Sequence, residues 1–360
     1  MSYVVPLGPY HPSLEEPVHV KLLTEGEEIQ EAKVFIGYNH RGIEKLCEER
    51  NYIQTITLVE RVCGICSHSH TLAYCLALEK IAGMEVPKRG DYIRVIICEL
   101  ERLHSHFLWL ALAAHIIGFD SLFMMCFDKR EKIMDMLELL SGNRVNYAMN
   151  TVGGARRDIS DEQVKIIKKN IEILKEDYKQ IFDIYAGDKT IQLRTQNVGV
   201  LTLDDAFLYG ACGPHGRASG LKDDVRKIDP YCSYDDFNFK SIIQTDGDIF
   251  SRAVVRLLEI EESIKIIKQA ICNLPDTPIN LGNKMPKIPK GEYISRIEAP
   301  RGEVTYYVVS NGGQTNQRVN IHVPTFKNAA TIPAMMKKNT IADAGLIVAS
   351  IDPCFSCLDR

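Results

Sequence analysis

The chain has 360 residues, 45% of them hydrophobic and 25% charged, with a formal net charge of −4. That balance specifies a globular protein with a large buried core. It excludes a basic, phosphate-gripping surface, so no nucleic-acid partner is expected.

Met1–Pro6 carries neither a basic nor an apolar leader segment, and the cysteine count of 11 is odd. Reduced cytosolic thiols are therefore expected, not a disulfide framework. Val18–Leu23 and Ala32–Ile36, joined through Glu25-Gly26, predict a β-hairpin over about 17–37. Helical periodicity begins at Ser67 and runs to Ala82. Pro87 then opens a long helix that Gly118 ends, and another reaches about Leu140. Further helices are predicted over Asp161–Ala186 and Asp248–Cys272, completing a helical core over about 66–272.

The longest apolar stretch, Phe107–Phe127, contains His115 and Asp120. Both would be costly inside a bilayer, so a buried core helix is expected and no membrane span. Trp109 within it reads as core packing. Over about 293–323 the pattern changes to strands, Tyr306–Val309 and Val319–His322, around an Asn311–Gly313 turn. Short helices at Ala329–Met336 and Thr340–Ala349 lead into a tail over 350–360. The expected fold is α+β and mainly helical, a single domain 1–360 with a helix-bundle core and small antiparallel sheets.

Two Cys-x-x-Cys pairs stand at opposite ends, Cys63/Cys66 and Cys354/Cys357. Such a separation is too wide for a local zinc knuckle, so the whole fold would have to bring the pairs together. Four soft sulfur ligands suit zinc, an iron–sulfur cluster, or nickel with iron. Buried free thiols, which pack as small hydrophobes, are the alternative. The other seven cysteines are scattered singly and offer no second cluster-binding set.

The flanks narrow this choice. Arg61-Val62-Cys63-Gly64-Ile65-Cys66-Ser67-His68-Ser69-His70 and Asp352-Pro353-Cys354-Phe355-Ser356-Cys357-Leu358-Asp359-Arg360 resemble the nickel-binding signatures of NiFe-hydrogenase large subunits. Gly8–Pro17, Gly142–Asn146, Val152–Gly154, Gly213-Pro214, Arg217–Gly220 and Pro230-Tyr231 resemble the membrane-bound, energy-converting branch. The related quinone-site subunit of respiratory complex I shares that branch's pattern but lacks the nickel cysteines, and this chain keeps all four.

The resemblance implies that all four cysteines bind nickel. Cys66 and Cys357 would also bridge to an iron carrying cyanide and carbon monoxide, while Cys63 and Cys354 would be terminal. Cys354 would take the proton of a split hydrogen molecule and Glu16 would relay it. His70 would donate to a bridging thiolate, whereas His68 stays unassigned and is expected at the surface. Arg301 and Thr325 would donate to the cyanides within segments containing Pro300 and Pro324, and Asp352 would pair with Arg301. Many relatives end the second motif in a histidine that helps to bind magnesium beside a glutamate matching Glu44. Arg360 has no lone pair to offer, so it is expected to pair with Glu44 in the ion's place.

The implied assembly adds a small subunit with an iron–sulfur cluster, ferredoxin as electron source, and ion-translocating membrane subunits. They would hold this chain at the cytoplasmic face of the membrane. Two other readings are a complex I type quinone-site subunit and a scaffold holding structural zinc.

Overall fold

The computed structural model describes residues 2–12, 14, 16–282 and 287–360. Ser13 and Glu15 of the opening motif lie outside them. The chain begins with a three-stranded antiparallel sheet, β1 (Ser2–Leu7), β2 (His19–Glu25) and β3 (Glu28–Phe35), in that order. The expected hairpin is β2–β3. Strand β1, which no sequence signal marks, pairs along β2 from Ser2↔Glu25 to Leu7↔Val20.

Helices α1 (Ile43–Glu49) and α2 (Tyr52–Glu60) lead to the bundle, α3 (Ser67–Ile81), α4 (Lys88–Ile117) and α5 (Asp120–Ser141). After a two-residue pair, β4 (Asn150–Thr151) and β5 (Gly154–Ala155), come α6 (Asp161–Gly187) and α7 (Lys189–Thr195). Three short helices follow, α8 (Leu203–Leu208), α9 (Gly213–Arg217) and α10 (Val225–Ile228), and then α11 (Ile249–Cys272). Strands β6 (Lys290–Ala299), β7 (Gly302–Asn311) and β8 (Asn316–His322) form an antiparallel meander. The chain finishes with α12 (Pro324–Ala329), α13 (Ile332–Met336), α14 (Ala344–Ser350) and α15 (Phe355–Asp359).

Local chemistry explains the boundaries. Pro87 sits extended before α4, and Gly118 ends that helix at φ 95, a left-handed conformation glycine adopts freely. Ser160 and Gln163 form a capping box at α6, and the Asp248 carboxylate accepts from the Ser251 amide at α11. No helix among the described residues is long and apolar enough to cross a membrane. Trp109 is buried as expected; its indole donates to the Ala349 carbonyl at 2.8 Å, and the Arg256 guanidinium lies 4.1 Å above the ring.

Two apolar clusters matter for the site. The larger joins α3, α4, α5, α6 and α11 to the inner face of the β6–β8 sheet and includes all four motif cysteines. The smaller packs Val20, Leu22 and Ile29 of the first sheet, with Val18 just before β2, against α13 and α14, and it takes in Phe355 and Leu358. Those two side chains anchor α15, a helix too short to stand alone. Burying each is worth roughly 1.5–3 kcal/mol. The Asp359 carboxylate adds a clamp, accepting from the Gly37 amide at 2.9 Å and the Asn39 amide at 2.8 Å.

Candidate metal centre

Cys63 and Cys66 lie on the loop between α2 and α3, and Cys354 caps α15, where its sulfur accepts from the Cys357 amide. The fold brings the two pairs together. Cys63 Sγ is 3.4 Å from Cys354 Sγ, Cys354 Sγ is 3.1 Å from Cys357 Sγ, and Cys357 Sγ is 3.6 Å from Cys66 Sγ. These separations are far beyond a disulfide's roughly 2 Å. They approach the edge of a sulfur tetrahedron built on metal–sulfur bonds of about 2.3 Å.

The charge state of the set fits a metal. The Cys63 thiol is held well below its usual range by hydrogen bonds from Cys354, Cys357 and Cys66, with Arg301 adding to the effect. Burial first, then its neighbours, pushes the Cys357 thiol up. Cys66 and Cys354 are also pushed up, although a hydrogen bond with Cys357 works against it. The four sulfurs thus compete for charge in one buried place. Four thiolates in one buried place require a multivalent cation, and the donor set suits nickel with iron.

A small cavity beside the sulfurs is lined by Cys66, His70, Arg301, Thr325, Cys354 and Cys357, with Ala299, Val304, Val323 and Pro324 as its apolar wall. Pro300 is buried but is not part of this lining. Arg301 donates from Nε to Asp352 Oδ1 at 2.8 Å and to the Asp352 carbonyl at 3.0 Å. Its Nη1 is buried with no partner among the described residues. A buried, orphaned guanidinium donor beside a thiolate cluster fits an acceptor such as a metal-bound cyanide.

Two glycines set Arg301 in place. A Cβ on Gly213 would fall 2.5 Å from the Arg301 carbonyl and 2.4 Å from Gly302 Cα. The Gly213-Pro214 segment thus lets two backbones touch where the β6–β7 turn presents its arginine. Thr325 Oγ1 accepts from the Cys354 amide at 3.1 Å, which leaves its proton free to donate. Pro324 and Thr325 open α12, with the proline in the first turn where its missing N–H costs nothing.

Glu16 is half-buried, 4.0 Å from Cys354 Sγ through Oε1. The Ser356 amide donates to Oε2 at 2.9 Å and the Ser356 hydroxyl to Oε1 at 3.1 Å. Burial raises its pKa despite the Ser356 amide. His70 is fully buried, with Nε2 3.4 Å from Cys357 Sγ and Nδ1 2.7 Å from the Tyr306 hydroxyl. Burial lowers its pKa to about 4, so the ring is neutral.

Glu44 lies outside the cavity with its oxygens occupied. Arg360 Nε donates to Oε1 at 2.8 Å, Arg318 Nη2 to Oε2 at 2.7 Å, and the Ile321 amide to Oε1 at 3.0 Å. The residues present there therefore fit a cationic side chain better than a magnesium ion.

The expectation for His68 is corrected. It is buried, with Nε2 3.1 Å from the Arg94 carbonyl and Nδ1 3.1 Å from Asn150 Nδ2, because the first turn of α3 points into the bundle. Glu101 and Tyr306 join the site without having been expected there. Glu101, on α4, accepts from the amides of His68 at 2.7 Å and Ser69 at 3.1 Å and from the Ser69 hydroxyl, and so caps α3 from a neighbouring helix. The signal for Tyr306 is its inward position in an alternating strand.

Comparison with known proteins adds two family matches. "Respiratory-chain NADH dehydrogenase, 49 Kd subunit" covers residues 117–360, and "Nickel-dependent hydrogenase" covers residues 41–120. The chain is 41% identical to the carbon monoxide-induced hydrogenase of Rhodospirillum rubrum over 100% of its own length and 99% of that protein's. It is 41% identical to the membrane-bound hydrogenase subunit alpha of Pyrococcus furiosus, over 99% of this chain and 87% of the other. It is also similar, at 38% identity over 98% and 96%, to an NADH-quinone oxidoreductase component of Clostridium beijerinckii.

Proposed function

The chain belongs to the family that unites nickel-dependent hydrogenases with the 49 kDa subunit of respiratory-chain NADH dehydrogenase, and on that premise we propose that it is the catalytic large subunit of an energy-converting NiFe-hydrogenase. Its reaction is the reversible reduction of protons to hydrogen. Electrons come from a ferredoxin through a partner iron–sulfur subunit, and membrane subunits couple the reaction to ion translocation at the cytoplasmic face. The chain works as a single domain, 1–360. Similarity to a protein named as part of a membrane-bound hydrogenase supports the assembly.

The observation that carries this reading is the convergence of Cys63, Cys66, Cys354 and Cys357 in one buried cluster with a carboxylate beside it. When bound, the nickel–iron centre supplies the Lewis acid for heterolytic cleavage or formation of hydrogen. Cys63, Cys66, Cys354 and Cys357 would hold it through their sulfurs. The Cys354 sulfur receives the proton, and Glu16, fixed by Ser356 and with a raised pKa, passes it on. Arg301 Nη1 and the Thr325 hydroxyl would donate to cyanides on the iron, Pro324 would help to exclude water, and Asp352 aligns Arg301. Pro300 stiffens the turn that presents Arg301. Arg360 takes the position of a magnesium ion beside Glu44.

The test is infrared spectroscopy with elemental analysis of the purified complex. Cyanide and carbon monoxide stretching bands with stoichiometric nickel and iron are expected. Zinc alone would establish the scaffold reading. Active protein without diatomic bands or nickel would favour a complex I type quinone subunit.

A further inference from the structure

Strand β7 alternates buried and partly exposed positions, and Tyr306 is one of its inward residues, completely buried. Its hydroxyl lies 2.7 Å from His70 Nδ1, while His70 Nε2 faces Cys357 Sγ at 3.4 Å. The neighbouring phenol is already committed: Tyr74 donates to Asn316 Oδ1 at 2.8 Å. Asn316 in turn donates to the Cys47 carbonyl at 3.0 Å and Thr55 Oγ1 at 3.1 Å. Among the described residues, His70 Nδ1 is the hydrogen-bond partner recorded for the Tyr306 hydroxyl.

Two demands meet on one ring. Leaving a buried hydroxyl proton without an acceptor costs about 1–3 kcal/mol, so Nδ1 must be bare. A metal-bound thiolate has no proton to offer, so the nitrogen that faces it must carry one. A neutral imidazole satisfies both only as the Nε2–H tautomer.

We propose that Tyr306 is a positioning residue that locks His70 in the Nε2–H tautomer and so makes it a hydrogen-bond donor to the Cys357 sulfur. The inference rests on the nickel–iron reading of the cysteine cluster. A sulfur that accepts a hydrogen bond donates less charge to its metals, so the phenol tunes the centre from two residues away. Among the described residues, His70 is the side chain that links Tyr306 to the cluster by hydrogen bonds.

The test compares Tyr306→Phe, His70→Leu and the double variant in the assembled, metal-loaded complex. Tyr306→Phe is expected to keep its nickel and iron yet move the cyanide and carbon monoxide bands to lower wavenumber. In the His70→Leu background it should add no further shift, because the two act as one unit. Bands that stay in place in Tyr306→Phe, or move equally with and without His70, would overturn the proposal. Absence of diatomic bands from the wild type would instead count against the nickel–iron reading. The tautomer is then read by nitrogen-15 NMR of the full wild-type chain labelled at its histidine rings, with His70 identified by its loss in His70→Leu. A protonated Nε2 and bare Nδ1 support the proposal, and a protonated Nδ1 overturns it.

Discussion

Arg360 and Glu44 tie the last residue to helix α1: Arg360 Nε donates to Glu44 Oε1 at 2.8 Å. The pair lies beside the segment that carries Cys354 and Cys357, so it ties α15 to α1 as well as neutralising a charge. Arg318 shares the carboxylate from the β8 side. Because these cations are partly exposed, Glu44→Gln should cost only about 1 kcal/mol in thermal unfolding.

The same pair predicts a pH dependence. Burial pushes the Glu44 pKa up, but the Ile321 amide, Arg360 and Arg318 outweigh it and leave the folded value below 4.5. A depressed carboxylate adds stability above its unfolded pKa and loses it as pH falls through the folded one. The melting-temperature gap between wild type and Glu44→Gln should therefore be full at neutral pH and close below 4.5. A gap that widens on acidification would contradict this assignment.

Glu16→Gln keeps the size and the Ser356 contact but cannot relay a proton. Turnover should fall by about 10²–10⁴-fold with nickel content unchanged. Wild-type turnover in this variant would remove Glu16 from the proton route.

Asp359 holds α15 closed through two backbone amides. Each charge-assisted bond is worth about 1.5–3 kcal/mol, so Asp359→Ala should speed nickel release to a chelator at least about tenfold. Equal release rates would show that Phe355 and Leu358 suffice to hold the segment.

The buried Arg301–Asp352 pair predicts an asymmetry. Asp352→Ala leaves a buried guanidinium with its carboxylate partner gone and should destabilise the protein by about 3–5 kcal/mol. Asp352→Asn retains an acceptor for Arg301 Nε and should lose less, as judged by denaturant midpoint.

Much of the framework is legible in the chain because its signals are local. Pro87 and Gly118 bound α4, Asp248 caps α11, and the alternating run around Tyr306 marks β7. The four cysteines are legible as well, since two rare motifs carry their own flanking residues. What the sequence hides depends on partners far away along the chain. Strand β1 has meaning only as an edge laid along β2. His68, which follows the first cysteine pair and reads as a polar surface residue, is buried because Arg94 and Asn150 supply its hydrogen bonds.

The sequence by itself determined the two cysteine motifs and, through their flanks, the reaction class, because motif spacing is written in adjacent residues. The tertiary structure alone decided how those groups meet and which unforeseen partners join them. His70 receives the Tyr306 phenol and Glu101 caps α3, because hydrogen bonds in a dry core act over about 3 Å and ignore distance along the chain.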